Sequence, residues 1–218
     1  AVMVGELVPE WVKKYHDNFI KVVFRSITPP VENTKAAGKS GVDVIVVTGF
    51  DEGGTIPEKV IGTFAIVPMI VDAAGDVPVM AAGGIADART AKAAFALGAE
   101  GLFVGTAFML SSESRLAENI KQQAISSDAD DLVMYRTLVK YYRTLPGELP
   151  EKLHQMDEAG ESREAIFKAS NGYDTLRLGM LEGDLTQGIA SFGLGISQID
   201  KIEPVASIMN RLSNGIPA

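Results

Sequence analysis

The segment at residues 77–87 constrains the fold more than any other part of this 218-residue chain. It reads VPVMAAGGIAD, in which a short apolar run ends at Gly83 and Gly84, and an alanine-rich run with helical periodicity follows over residues 87–97. This order predicts a strand, a tight turn and a helix. Such a turn exposes backbone N–H groups, and the positive end of the next helix points at the same place, so the turn can hold an anion such as phosphate.

The same plan recurs at residues 101–106, GLFVGT, where a short apolar strand leads to Gly105 and the hydroxyl of Thr106. Two neighbouring parallel strands would present both turns at their carboxyl ends, where α/β barrels hold the phosphate of a cofactor or substrate. Spacing alone leaves simpler interpretations open: Gly83 and Gly84 could be only a tight connection, and Thr106 only a helix cap.

The rest of the chain predicts an α/β fold with a parallel sheet, because apolar strands alternate with helical runs. The strands are predicted at residues 21–24, 43–49, 77–82 and 101–104, and the helices at 31–39, 63–74 and 87–97, after a first helix that follows Pro9. Four strands cannot close an eight-stranded barrel. We therefore expect either the C-terminal part of a longer polypeptide or a smaller open sheet.

The pattern divides the chain into three segments. Residues 1–110 carry the strand–helix units with the phosphate site, and residues 111–182 are predicted to form a helical cap or insertion. Within that cap, helices are expected over residues 113–143 and again from Pro150 to about residue 168. Residues 183–218 contain a glycine-rich loop and a last helix that returns to the barrel.

Composition narrows the classes of function. The chain has no cysteine, which excludes disulfides and thiolate metal sites, and its net charge of −8 argues against binding nucleic acid or anionic lipid. No stretch reaches the length of a membrane span, and the N-terminus lacks the pattern of a secretory signal. We expect a cytoplasmic protein that acts on a small molecule and that either forms a homo-oligomer or lacks an N-terminal segment of a longer polypeptide.

Four short motifs together resemble the FMN-dependent nitronate monooxygenase (2-nitropropane dioxygenase) family, which includes the flavin-type enoyl-ACP reductases. They are DEGG at residues 51–54, AAGGIAD at 81–87, LGAEG at 97–101 and VGTAF at 104–108. The resemblance runs in register from about residue 21 to 108 and resumes at 181–184 and 191–214. It implies a (β/α)8 TIM barrel with FMN at the carboxyl ends of its strands, of which this chain carries the later strands plus the helical cap.

The resemblance also implies roles for individual residues. The FMN phosphate would be bound by Gly83 and Gly84 and by Gly105 and Thr106, and Ala82 would also contact the cofactor. The flavin would lie against Asp51, Gly53 and Gly54. Asp51 and Thr55 are the candidate catalytic residues. Thr55 stands where the family usually has a histidine, and a threonine cannot titrate near neutral pH.

Reduction of the flavin by NAD(P)H needs no such base, because the hydride goes directly to the ring. The leading hypothesis is therefore an FMN-dependent oxidoreductase that uses NAD(P)H to reduce a small acceptor, namely a nitronate with oxygen, a quinone or an enoyl thioester. Two alternatives remain. One is a flavin-free barrel enzyme that acts on a phosphorylated metabolite, and the other is a non-catalytic half barrel that associates with a partner.

Two further groups of side chains are weaker candidates. His16 and His154 lie far apart without metal-binding spacing, so no metal site is expected. A cluster of aromatic and basic residues could line a substrate lid or form one face of an ordinary amphipathic helix. Its members are Tyr135, Arg136, Tyr141, Tyr142 and Arg143.

Overall fold

A computed structural model of the protein describes residues 1–25, 31–56, 59–138 and 141–217. The sequence also predicts a turn at residues 26–30, between the strand at 21–24 and the helix at 31–39, and these residues lie outside the described ranges. The strands are β1 (Val2–Val4), β2 (Val23–Arg25), β3 (Val44–Thr48), β4 (Gly54–Ile56), β5 (Val79–Ala82), β6 (Gly101–Phe103), β7 (Val133–Arg136) and β8 (Tyr141–Thr144). The α-helices are α1 (Pro9–His16), α2 (Val31–Lys39), α3 (Thr63–Ala74), α4 (Ala88–Ala96), α5 (Thr106–Met109), α6 (Glu118–Ile125), α7 (Glu148–Glu158), α8 (Arg163–Ala169) and α9 (Val205–Ser213).

Five strands form one parallel sheet in the order β1-β2-β3-β5-β6. The register pairs Ile45 with Val79 and Ala82 with Phe103, so the carboxyl ends of β3, β5 and β6 lie along one edge. Helices connect the strands, which confirms the predicted α/β fold of the barrel type. The sequence predicted four of the five strands and missed β1, a three-residue strand whose Val2 and Val4 are exposed.

The core forms where the central strand meets the helices beside it. Residues 45–48 of β3 are all buried, as expected of a strand covered on both faces. Ile66, Val67 and Ile70 of α3 are buried in the same hydrophobic cluster. Because each buried side chain of this size stabilises the fold by about 1.5–3 kcal/mol, the strands that end at the predicted site are firmly anchored.

The prediction of helix throughout residues 113–143 is wrong. Among the residues of this range that the structure describes, only α6 and a short 3₁₀ turn at Ala129–Asp131 are helical, whereas β7 and β8 pair in antiparallel fashion and β8 also pairs with β4. Valine, tyrosine and threonine favour strands, and Tyr135 and Tyr142 stack with ring centroids 6.1 Å apart. The segment boundaries at 110/111 and 182/183 stay a prediction.

The N-terminal helix also differs in detail from the prediction. The sequence places Trp11, Val12, Tyr15 and Phe19 on one apolar face of this helix. The helix ends at His16, so Phe19 lies outside it and is fully exposed, and of the four residues only Val12 is buried. Among the residues described, no helix combines the length and the apolar character needed to cross a bilayer.

Candidate functional site

The main cavity of the described structure opens at the carboxyl edge of the parallel sheet and measures about 320 Å³. Ligand sites of α/β proteins are expected at this edge, and small-molecule pockets start at roughly this size. The cavity is lined by the ends of β2, β3, β5 and β6, the loop after β3 and the loop at residues 191–195. Its lining residues are Arg25, Thr48, Glu52, Gly53, Gly54, Ala82, Gly83, Gly84, Ile85, Phe103, Val104, Gly105, Thr106, Met109, Leu176, Met180, Ser191, Gly193 and Gly195.

The Gly83–Gly84 turn has the backbone conformation that only glycine adopts readily. Its φ angles are +97° and +70°, and a Cβ on Gly83 would lie 2.9 Å from Oγ1 of Thr63. Within the described chain, neither amide N–H of this turn donates a hydrogen bond to another protein group. Both therefore remain available to a ligand in the main cavity.

Gly105 and Thr106 lie beside this turn because both pairs follow strands held in register. Gly84 and Gly105 each come two residues after a paired position, Ala82 on β5 and Phe103 on β6. The amides of residues 105 and 106 also have no protein acceptor among the residues described, while Oγ1 of Thr106 accepts a hydrogen bond from the Gly193 amide at 3.0 Å. The structure thus brings the two predicted glycine turns together around one cavity.

The N-terminus of α4 contributes less than expected, because Asp87 caps it. The Asp87 carboxylate accepts a hydrogen bond from the Thr90 amide at 2.9 Å and pairs with Arg89. Burial by itself would raise the pKa of Asp87, but these hydrogen bonds and the positive charge of Arg89 hold it below its usual value. Anion binding at the two turns therefore rests on their own free amides and not on the α4 dipole.

Glycines also let the three loops around the cavity pack against each other. A Cβ on Gly53 would lie 2.3 Å from the carbonyl carbon of Phe192, and a Cβ on Gly195 would lie 3.3 Å from that of Gly84. Gly54 has a φ of +77°, which also favours glycine. The glycine-rich loop near the C-terminus therefore completes the cavity wall, a role that the sequence did not reveal.

Ser191 is a site residue that the sequence analysis missed. It is buried, it lines the main cavity, and in the described chain its Oγ has no hydrogen-bond partner. Buried hydroxyl groups are normally hydrogen-bonded, so an unpaired one at a cavity wall points to a ligand atom as the partner.

Arg25 and Glu52 supply the ionised side chains of the cavity wall. The Arg25 guanidinium forms an ion pair with the Glu52 carboxylate, its Nε donates to Oγ1 of Thr48 at 3.3 Å, and it lies 5.9 Å from the centroid of the Phe103 ring. These contacts come from β2, β3, the loop after β3, and β6, so the guanidinium sits inside the curve of the sheet. One signal in the sequence pointed to Arg25, namely its place directly after the predicted strand at residues 21–24.

Arg143 on β8 anchors the loop that follows β3. Its Nη1 donates to the carbonyl oxygens of Phe50, at 2.8 Å, and Glu52, at 2.5 Å, and its guanidinium lies 5.1 Å from the Phe50 ring centroid. Burial lowers the pKa of this guanidinium, and the charges of Asp51 and Glu52 offset part of that change. Arg143 therefore fixes the loop that carries Glu52, Gly53 and Gly54.

The two candidate catalytic residues lie outside the main cavity. The Asp51 carboxylate accepts a hydrogen bond from the Thr63 amide at the start of α3, and its side chain faces a second cavity of about 210 Å³. Thr55 lies on β4 opposite Tyr142. Both positions favour a structural role, and a catalytic role for either residue stays a prediction.

The remaining candidates also lie away from the main cavity. His16 pairs with Asp43 at 2.8 Å, and His154 bonds to the carbonyl oxygen of Met134. Across the described ranges, no group of three or more His, Cys, Asp or Glu residues could hold a metal ion. Tyr135 and Tyr142 belong to a small second core, so the proposed lid has no counterpart in the cavity lining.

Comparison with known proteins agrees with this geometry. The model of the nitronate monooxygenase family matches residues 2–215, which is nearly the whole chain. The chain belongs to the nitronate monooxygenase family. A Staphylococcus aureus relative (strain MSSA476), described as a probable nitronate monooxygenase, is 36% identical over 131 residues. That match covers 56% of this chain and 36% of the relative, so it spans little more than a third of the relative's length.

Two solved structures extend the comparison to three dimensions. FabK from Thermotoga maritima aligns with a TM-score of 0.87 and 28% identity over 98% of this chain and 67% of that chain. A nitroalkane oxidase from Streptomyces ansochromogenes aligns with a TM-score of 0.76 and 20% identity over 97% of this chain and 63% of that chain, which shows a common fold. Both alignments cover nearly the whole of this chain, and they show that it shares the fold of these two proteins.

Proposed function

We propose that this protein is an FMN-dependent oxidoreductase whose cofactor phosphate is bound by the amides of Gly83, Gly84, Gly105 and Thr106. The single observation that carries the proposal is the convergence of two glycine turns, with free amides, on one cavity. The charge of a phosphate is well matched to such a cluster of N–H groups. Ser191 supplies a further hydrogen-bonding group on the same wall.

The cavity lining also limits the chemistry that the protein's own side chains can perform. Its ionisable members are Arg25 and Glu52, which pair with each other, and the described lining contains no histidine, lysine, tyrosine or cysteine. The described lining therefore offers no free general base for removing a proton from a neutral substrate. Bound FMN would supply hydride and electron transfer, and the protein would bind and orient it and shield it from water.

We infer that NADH or NADPH is the reductant and that the acceptor is a small molecule: oxygen with an ionised nitronate as co-substrate, a quinone, or an enoyl thioester. None of these acceptors requires the protein to remove a proton from a neutral substrate. The absorption spectrum of the purified protein, before and after addition of FMN and then of each nicotinamide, tests this directly. A protein that gives no flavin spectrum and no fluorescence quenching with FMN would refute the proposal.

Gly105 allows a sharper test of the phosphate site. Its φ is −107°, which other residues adopt, and a Cβ there would meet no atom within 4 Å. We expect Gly105→Val to fold normally and to weaken FMN binding at least about tenfold, because its side chain would occupy space beside the phosphate. Gly38→Ala in α2 is the matched control, since the added Cβ would make only an ordinary contact of 3.7 Å with Val77. Equal FMN affinity in both variants would contradict the assigned phosphate position.

A further inference from the structure

The cavity contains a guanidinium that phosphate binding does not explain. Arg25 is the one basic residue in the described lining, and its partners come from β3, the loop after β3, and β6. Three contacts, namely a hydrogen bond, an ion pair and an aromatic ring face, fix the orientation of its planar head group. In the part of the chain that the structure describes, Nη1 donates to no protein group. A fixed arginine with free N–H groups in a cavity wall is suited to bind negative charge.

The position of the phosphate site restricts which negative charge this can be. The phosphate is assigned to the turns after β5 and β6, whose amides suffice for it. The rest of the same cavity must then hold the flavin ring and the reacting part of the substrate. A flavin ring is neutral when oxidised, and two-electron reduction by a hydride leaves one negative charge on its pyrimidine half. Charges near the ring are a recognised means by which proteins tune flavin reactivity.

We propose that Arg25, held in place by Glu52 and Thr48, stabilises the negative charge that develops on FMN when it is reduced. This inference rests on the proposed function. It assigns Arg25 to the redox step and not to cofactor capture, so Arg25 should favour binding of reduced FMN over oxidised FMN. Glu52 acts as a positioning residue, because it orients the guanidinium while neutralising part of its charge.

The test compares two variants that differ only at Arg25. Removing Arg25 alone would leave the buried Glu52 carboxylate without its cation, which destabilises proteins strongly. Glu52→Gln keeps the cation, and the double variant Arg25→Met/Glu52→Gln removes both charges. For each protein, the dissociation constants of oxidised FMN and of dithionite-reduced FMN are measured anaerobically by fluorescence titration. Their ratio gives the shift of the bound flavin's potential from that of free FMN.

We expect the ratio of oxidised to reduced dissociation constants to be at least tenfold smaller in the double variant than in Glu52→Gln. For a two-electron couple, tenfold corresponds to about 30 mV. The ratio of the wild-type protein should lie between those of the two variants, because Glu52 offsets part of the arginine's charge. Arg136→Met is the matched control, since Arg136 on β7 pairs with Asp157 on α7 and lies outside the cavity lining, and it should leave the ratio within twofold.

Each outcome decides the question. Equal ratios in the two variants, or equal weakening of both redox forms, would overturn the role of Arg25 and leave the proposed function intact. A wild-type protein that binds no FMN would refute the proposed function together with this inference. Should the double variant not fold, the wild-type protein and Glu52→Gln provide the test, and a ratio in Glu52→Gln that is not larger than that of the wild type overturns the proposal.

Discussion

Replacing Arg143 by methionine should lower the free energy of unfolding and weaken the binding of FMN. Arg143 is buried, and its Nη1 donates to the carbonyl oxygens of Phe50 and Glu52. Hydrogen bonds from a charged donor contribute about 1.5–3 kcal/mol each, and the contact with the Phe50 ring adds about 0.5–2 kcal/mol. Burying the guanidinium is itself unfavourable, as its lowered pKa indicates, and a methionine would retain part of the packing.

The net loss expected from these opposing terms is about 3 kcal/mol in the free energy of unfolding. Urea denaturation followed by far-UV circular dichroism measures it, and the unfolding slope must stay unchanged for the comparison to hold. FMN affinity should fall as well, because Gly53 and Gly54 follow the two carbonyl groups that Arg143 holds. Arg136→Met, which breaks a partly exposed ion pair with Asp157, should destabilise by no more than about 1 kcal/mol.

An equal loss in the free energy of unfolding for both arginine variants would contradict the anchoring role of Arg143. A loss of less than about 1 kcal/mol in Arg143→Met would also contradict it, since no carbonyl group would then depend on this side chain.

Three further outcomes follow from individual contacts. Ser191→Ala should weaken FMN binding about three- to tenfold in a fluorescence titration without lowering stability, because the hydroxyl has no described protein partner to lose. Gly83→Ala should destabilise by roughly 1–3 kcal/mol in urea, since its φ is +97° and the new Cβ would crowd Thr63. Asp43 should make the free energy of unfolding depend on pH in the acidic range. Burial alone would raise the pKa of Asp43, but hydrogen bonds from Lys21 and the Val22 amide lower it well below its usual value. Its contribution is therefore present above the unfolded-state value near 3.8 and is lost as the pH falls toward the folded pKa, so the stability gap between the wild type and Asp43→Asn should narrow below about pH 4.

The parallel-sheet half of the fold could be predicted from the sequence because its signals are local. Helices α2 and α3 have the predicted bounds, and the strand, glycine pair and helix at residues 79–96 follow the predicted order. The antiparallel strands β7 and β8 could not be read in the same way. They pair with each other, and β8 also pairs with β4, which lies far away in sequence. The spacing of their aromatic residues also fits one face of a helix.

The candidate site likewise contains some residues that could be predicted from local sequence motifs and others that could not. The two glycine turns could be predicted because a short motif, an apolar strand followed directly by glycine, indicates each of them. Arg25 and Ser191 were missed because each matters through residues distant in sequence, and Arg25 meets its partners only when β2, β3 and β6 curve around one cavity. Asp51 is the opposite case. As an acidic residue on a glycine-rich loop it was predicted to be catalytic, but in the structure its carboxylate accepts a hydrogen bond from the Thr63 amide at the start of α3.

Where the family usually has a histidine, this chain has Thr55, and the ion pair of Arg25 and Glu52 does not supply the missing base. A titratable base near the flavin serves reactions in which the substrate must lose a proton, and Thr55 cannot replace it. A guanidinium can stabilise an anion, but it does not act as a general base. If hydride transfer from a nicotinamide is the reaction, the rate of flavin reduction in rapid-mixing experiments should therefore be nearly independent of pH between about 6 and 9. A bell-shaped profile with a pKa in that interval would show that a titrating group serves this step, and it would contradict the assignment of the described cavity to base-independent chemistry.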